Sequence, residues 1–286
     1  MGEGIAYAAG TVVNAISAKK GCAYALDLTV SVRAELSDST EIHTDVEDTS
    51  LVERCVEVVG EHVGQELNFE IEVDSEIPIA MGLASSSAVS NAVVEALLKE
   101  LGREPEPFEV VRLGVEASIR AGVTVTGAYD DACASYLGGL VLTLNDQHRV
   151  LDIRELPYPY AVILLPGGKV ETSEVDVNRL ELLAPAAETA FRRAMTGDYR
   201  GAMLINSAVY CSALGHEFEP VVEALEAGAA AAGLSGTGPA FVALCETKSD
   251  VREVSEVWSD RGEVLETRTV GPERARGAQA RNRPHR

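Results

Sequence analysis

The stretch PIAMGLASSSAV, residues 78–89, sets Gly82 and three successive hydroxyls, Ser85, Ser86 and Ser87, ahead of the helical pattern SNAVVEALLKEL. A helix amino terminus carries unpaired N–H groups and a partial positive charge, so it suits an anion. Gly82 has no side chain to hold a ligand off the backbone, and the hydroxyls can bond phosphate oxygens or a magnesium ion. The same residues also fit a plain helix start, with one serine as cap and two idle neighbours. Two further stretches carry candidate chemistry. TGAYDDACASYLGG (126–139) holds the adjacent carboxylates Asp130 and Asp131. Either could take the proton of an attacking alcohol, or both could be turn or cap residues. GLSGTGPAFVAL (233–244) sets a glycine turn before an apolar run, a common arrangement on its own.

Together the three stretches resemble the motifs of the GHMP kinases, the superfamily of galactokinase, homoserine kinase, mevalonate kinase and phosphomevalonate kinase. PIAMGLASSSAVSNAVVEAL is similar to that family's phosphate-binding motif: a proline, then Gly-Leu-Gly/Ala-Ser-Ser-Ala, then a helix. GLSGTGPAFVAL resembles the carboxy-terminal glycine-rich motif that packs beside it, and TGAYDD the segment with the catalytic acid. The resemblance covers residues 5–270 and implies an α+β fold, a ribosomal-S5-like amino-terminal domain joined to a ferredoxin-like one. It implies ATP and Mg2+ as cofactors. Nucleotide contacts would come from Pro78, Ile79, Ala80 and Met81 leading in, from Gly82, Leu83 and Ala84 at the turn, and from Ser85, Ser86, Ser87 and Ala88 on the helix. Gly236, Thr237 and Gly238 would add to them. Asp130 takes the place of the catalytic acid, and Asp131 that of a following Gln or Asn. Ser86 and Glu116 would hold the metal, although Glu116 equally reads as a surface residue.

One departure concerns lysine. The family often begins with a Pro-Gly-Lys-like turn whose lysine sits near the catalytic acid, but in AAGTVVNAISAKKG Thr11 falls there. Lys20, or Lys19, is the expected replacement; the plain alternative is a solvated surface lysine. A Walker loop, GxxxxGK[ST], is absent. Phosphoryl transfer would then depend on backbone donors, the helix terminus, magnesium and one acid near the acceptor hydroxyl.

AGTVVNAISAKKGCAYALDL and KVETSEVDVNRL resemble the archaeal shikimate kinase branch of this superfamily. That implies transfer of the γ-phosphoryl group of ATP to the 3-hydroxyl of shikimate. Asn14, Ser173 and Arg179, with Lys20, are the candidates for binding this small polar carboxylate. Homoserine or mevalonate as acceptor, and a ligand-binding relative without catalysis, stay open. His43, His62, His148 and His216 fall in no recognisable motif, which disfavours a histidine-centred hydrolase.

These residues need a frame. YALDLTVSVRAEL (24–36) alternates with Leu26, Leu28, Val30, Val32, Ala34 and Leu36 on one side, a half-buried strand. LNFEIEVD repeats the pattern, and SLVERCVEVVGEHV between them has helical spacing. Val89, Val93, Ala96 and Leu97 form a helical stripe that stops at Gly102, and a second helix spans about 107–121. From YAVILLP (160–166) onward the order reads β-α-β-β-α-β with extra helices in the first crossover, as in a ferredoxin-like unit. The expected division is 1–157 and 158–271, with the join near ELPYP (155–159) and a basic, poorly ordered tail at 272–286.

Composition excludes some classes. No apolar run approaches the roughly 20 residues of a membrane span, and MGEGIAYAAG is no signal peptide. Five scattered cysteines without a CxxC or Cys/His cluster argue against structural zinc and a disulfide framework, and for a reducing cytoplasm. The net charge of −21 disfavours nucleic acid and anionic membranes as partners. Spread along the chain, it reads as adaptation to a salty cytoplasm, which the archaeal resemblance suits; the plain alternative is an ordinary acidic protein. Screening should relieve this self-repulsion, so the thermal midpoint is expected to rise markedly from millimolar to molar potassium chloride. A flat or falling midpoint in a salt series would remove that reading.

Overall fold

The structure, a computed structural model, describes residues 1–124, 127–166 and 180–273. The first part runs β1 (Gly2–Val13), α1 (Ala15–Ala18), β2 (Lys20–Leu36), β3 (Glu41–His43), α2 (Ser50–Val63), β4 (Phe69–Ser75), α3 (Ser85–Glu100), α4 (Pro107–Arg120), α5 (Tyr129–Leu137), β5 (Leu140–Leu144) and β6 (Arg149–Arg154). Its strands join in the order β3-β4-β2-β5-β6, with β1 paired antiparallel to β2. The long β2 serves two partners along one edge: Lys20–Tyr24 pair with β5, and Val30–Leu36 pair with β4. The alternation expected for β2 holds at Leu26, Val30, Val32 and Ala34, which are buried. Leu36, the last residue of the strand, is instead 52% exposed, and its N–H donates to the Glu100 carboxylate at the end of α3.

Helix α3 departs from the amphipathic stripe expected of it. From Ser87 to Leu98 every residue but Val89 is buried, because β1 and β2 cover one side while α2, α4 and α5 cover the other. Strand β1, which the alternation of the sequence does not announce, is built of glycine and alanine where this helix lies closest. A Cβ on Gly2 would stand 2.1 Å from the Ala96 carbonyl oxygen, and one on Gly4 1.9 Å from that of Ala92. These glycines let a strand and a helix touch backbone to backbone.

The second part runs β7 (Tyr160–Pro166), α6 (Ala184–Met195), α7 (Tyr199–Leu214), α8 (Glu219–Glu226), β8 (Ala231–Leu234), β9 (Phe241–Cys245), α9 (Lys248–Trp258) and β10 (Gly262–Arg268). The sheet order β10-β7-β9-β8, antiparallel throughout, is that of a ferredoxin-like unit. Strand β7 is apolar at every position because both faces are buried. Ala161, Ile163 and Leu165 join the larger core, which they share with β1, β2 and α3, while Val162 and Leu164 join a second core around Trp258. The chain returns to the first sheet at its end: Val270 N–H donates to Ala25 O, and Gly139 N–H to Val270 O. Among the described residues no helix is long and apolar enough to cross a membrane, and all five cysteines are buried and free.

The contact between β1 and α3 allows a direct test. Gly4→Ala should destabilise the protein by about 2 kcal/mol or more, the cost of overpacking against a backbone that cannot yield. Urea unfolding should show Glu3→Ala, one residue away on the exposed side, changing stability by under about 0.5 kcal/mol.

Candidate active site

Two helices point their amino termini into one cavity of about 730 Å³. Helix α3 begins after Ala84, which adopts a left-handed conformation and gives no side-chain cap. The serines therefore do not cap: Ser85, Ser86 and Ser87 form the first turn itself and line the cavity. Helix α5 begins the same way after Ala128, with Asp130 and Asp131 in its first turn. Ala80 is left-handed as well, so three of the five non-glycine residues with positive φ among the described residues lie on the cavity wall. Strain of this kind persists where surrounding contacts over-determine the backbone.

The glycines of the two loops serve packing between loops. A Cβ on Gly82 would stand 2.2 Å from the Ser235 carbonyl oxygen, so its bare Cα faces the 235–238 loop, not the cavity interior, as a phosphate-approach role would require. Ser235 Oγ donates to Gly82 O at 2.7 Å, and Ala240 N–H donates to Met81 O at 3.1 Å. Thr11 Oγ1 accepts from Gly236 N–H at 2.8 Å, and Asn14 Nδ2 donates to Gly236 O at 3.0 Å. Thr11 thus holds the glycine loop where a lysine was the family pattern. The ring nitrogen Nε2 of His216 donates to Thr237 O at 2.7 Å from behind.

Asp130 is almost fully buried yet reaches the cavity wall. Its Oδ1 accepts from Asn145 Nδ2 at 2.7 Å, and its Oδ2 lies against Gly21, where a Cβ would come within 2.2 Å. Burial pushes its carboxyl above the usual carboxylate range; the Asn145 amide and the N–H groups of residues 130 and 131 pull it partly back. Asp131, which also lines the cavity, is raised well above that range by burial and by the neighbouring Asp130 charge. The Asp130 charge also reaches Cys22 on β2, Cys133 on α5 and Tyr210 on α7.

The residues expected from sequence divide. Ala80 through Ser87, Gly236, Thr237, Asp130 and Asn14 line the cavity. Pro78 and Ile79 lead into it without lining it, Ala88 is buried in the core, and Gly238 supports the loop, its N–H donating to Ser235 O. Asn14 is committed to the protein: its Oδ1 caps α1 through Ile16 N–H and its Nδ2 holds Gly236. Lys20 is not brought to Asp130. Gly21 faces the carboxylate, so the preceding residue of the strand points elsewhere, and Glu188 on α6 takes its ammonium at 2.8 Å. Lys19 donates to Ile16 O. Glu116 is not at the cavity either; it pairs with Arg120 on the exposed side of α4, where Glu61 also binds that guanidinium. Ser118, two residues further along α4, does line the cavity. Ser173 and Arg179 lie outside the described residues. Sequence reasoning missed Asn145 and Ser118. Asn145 sits in LNDQH, which reads as an ordinary turn between strands, and nothing in its spacing marks it.

Residues 50–139 match the family described as GHMP kinases N terminal domain, and residues 183–264 match GHMP kinases C terminal. The chain belongs to the GHMP kinase family. Within it, the chain is similar along nearly its whole length to shikimate kinases. That of Methanothrix thermoacetophila is 46% identical over 281 residues, 98% of this chain and 97% of that protein. That of Pyrococcus abyssi is 37% identical over 273 residues, 93% of this chain and 98% of that protein. Among solved structures, the mevalonate kinase of Methanococcus jannaschii aligns with a TM-score of 0.76 at 14% identity, covering 93% of this chain and 98% of that one. The homoserine kinase of Cytophaga hutchinsonii gives 0.69 at 20% identity, covering 94% and 96%. At such identities these structures speak for the fold alone.

The raised carboxyls make stability depend on pH. A carboxyl with a folded pKa above its unfolded value keeps its proton longer in the native state, so stability falls as pH rises between the two values. Asp130→Asn removes that burden. Its thermal midpoint should exceed that of the unmodified chain at neutral pH, and the gain should vanish below about pH 4, where both states hold the proton. A melting series across pH that shows no such convergence would contradict the buried-carboxyl account.

Proposed function

We propose that this chain transfers the γ-phosphoryl group of ATP to the 3-hydroxyl of shikimate. The observation that carries the reading is the juxtaposition in one cavity of an uncapped helix terminus, suited to phosphate, and a buried carboxylate, suited to an alcohol proton. The choice of acceptor rests on the relatives, shikimate kinases similar over nearly the whole chain. The N–H groups and hydroxyls of Ser85, Ser86 and Ser87 would hold the phosphates, with Thr237 on the opposite loop. The shikimate oxygen attacks the γ-phosphorus, the bond from that phosphorus to the β,γ-bridging oxygen breaks, ADP leaves, and the hydroxyl proton passes to Asp130. Burial suits Asp130 to accept that proton, because its carboxyl is already held above the usual range.

Among the described residues no three His, Cys, Asp or Glu side chains are grouped to hold a metal. A magnesium ion fits here only as a partner of the nucleotide phosphates, with the Ser86 hydroxyl as the wall group that would meet it; Glu116 is too far committed to Arg120. When bound, it neutralises charge on the β- and γ-phosphates. The archaeal relatives and the charge of −21 support a salty, archaeal cytoplasm as the setting, and the two sheets support a division near residue 157.

The adjacent carboxylates separate the roles. Asp130→Asn should bind ATP normally by calorimetry while shikimate turnover falls by on the order of 10²–10⁴. Asp131→Asn should do much less. A reversed order would move the proton acceptor to Asp131. A protein that phosphorylates homoserine or mevalonate and not shikimate would keep the kinase and overturn the acceptor.

A further inference from the structure

We propose that Asn145 is a positioning residue for Asp130, fixing the carboxylate that faces the acceptor, and that Thr143 fixes Asn145 in turn. The proposal rests on the phosphoryl-transfer reading above. Asn145 is almost fully buried at the cavity wall, in the short turn between β5 and β6, outside the TGAYDDACASYLGG stretch and six residues past its end. The Asp130 carboxylate, which only accepts, selects the amide nitrogen and leaves Oδ1 for a donor. Thr143 Oγ1 lies 2.6 Å from Asn145 Oδ1, close enough to donate its single proton there, while its other acceptor, Gly21 O, is at 3.4 Å. With Oδ1 engaged as acceptor, Nδ2 is the atom turned to Asp130, which it meets at 2.7 Å. The carboxylate is thereby pinned on two sides, Oδ1 by the amide and Oδ2 by the bare Cα of Gly21.

The turn that carries Asn145 is itself clamped. Asn145 N–H donates to Lys19 O at 2.9 Å, and its own carbonyl accepts from His148 N–H at 3.2 Å. Lys19 and His148 are the two remaining non-glycine residues with positive φ among the described residues. The His148 ring stacks on Tyr129, the residue before Asp130, at 5.1 Å between centroids. That stacking ties the turn of Asn145 to the first turn of α5. A buried amide with one donor on a catalytic carboxylate can set its rotamer without touching substrate, because a carboxylate must accept whatever donor is held in place.

The test is a double-mutant cycle on shikimate phosphorylation by the full chain. Asn145→Ala should lower kcat by on the order of 10- to 100-fold with KM for ATP changed by less than about threefold. In an Asp130→Asn background the same substitution should cost little more, because its effect runs through the carboxylate. Thr143→Val should lower kcat in the same sense, and Thr143→Ser, which restores the hydroxyl, should recover most of it. This pair keeps the test open if Asn145→Ala fails to fold. Three results would overturn the proposal: unchanged kcat in Asn145→Ala, an equal loss with and without Asp130, or Thr143→Ser as impaired as Thr143→Val. The acceptor reading fails separately. If the unmodified chain ignores shikimate but phosphorylates another alcohol, the same cycle run on that alcohol still decides the role of Asn145.

Discussion

At the wall of the cavity two loops from distant parts of the chain touch, bare glycine against backbone. Gly82 and Gly236 meet Cα to backbone, and a single Cβ at Gly82 would collide with the Ser235 carbonyl. Around that contact the hydrogen bonds run both ways: Ser235 to Gly82, Gly236 to Thr11, Asn14 to Gly236, Ala240 to Met81. These bonds tie the first sheet to the second at the mouth of the site, while the shared core of β1, β2, α3 and β7 ties them below. The amino terminus of α3 is held open by this arrangement. A side-chain cap would satisfy the same N–H groups that an anion needs.

Charge in the cavity is handled by dipoles more than by cations. Among the described residues lining it there are two carboxylates and no lysine or arginine. Aligned N–H groups can bind phosphate without a formal charge, and they do so without a long, mobile side chain that must be ordered first. The two helices divide the labour. Helix α3 presents small hydroxyls to the cavity, while the partial positive charge of α5 is turned on its own first-turn aspartates, one of which is nearly fully buried. Raised carboxyls cost stability at neutral pH.

Local strain follows the same map. All five non-glycine residues with positive φ among the described residues either line the cavity or flank the turn of Asn145. Elsewhere the helices end conventionally, as at Gly64 and Gly215, left-handed glycine caps that cost nothing. The strained alanines stand where the chain must turn abruptly into an open helix terminus, and the buried packing of α3 and α5 holds them there.

By itself the sequence carried the serine turn, the glycine loop and the Asp130 segment as stretches that resemble GHMP kinase motifs, and the ferredoxin-like order of the second half in its residue spacing. The strands of alternating or continuous apolar residues were legible for the same reason. What escaped it depended on contacts between remote segments. Strand β1 hides in glycine and alanine because its role is to let α3 approach, a demand visible only once the helix is in place. Lys20 went to Glu188 because strand alternation turned Gly21, not the lysine, toward Asp130. Glu116 went to Arg120 because α4 turns that position outward and Ser118 inward. Asn145 is an unremarkable turn residue until folding closes the distance to a carboxylate fifteen positions away. Motifs fix which chemical groups are present; tertiary packing alone decides which of them share a space and which are claimed by neighbours.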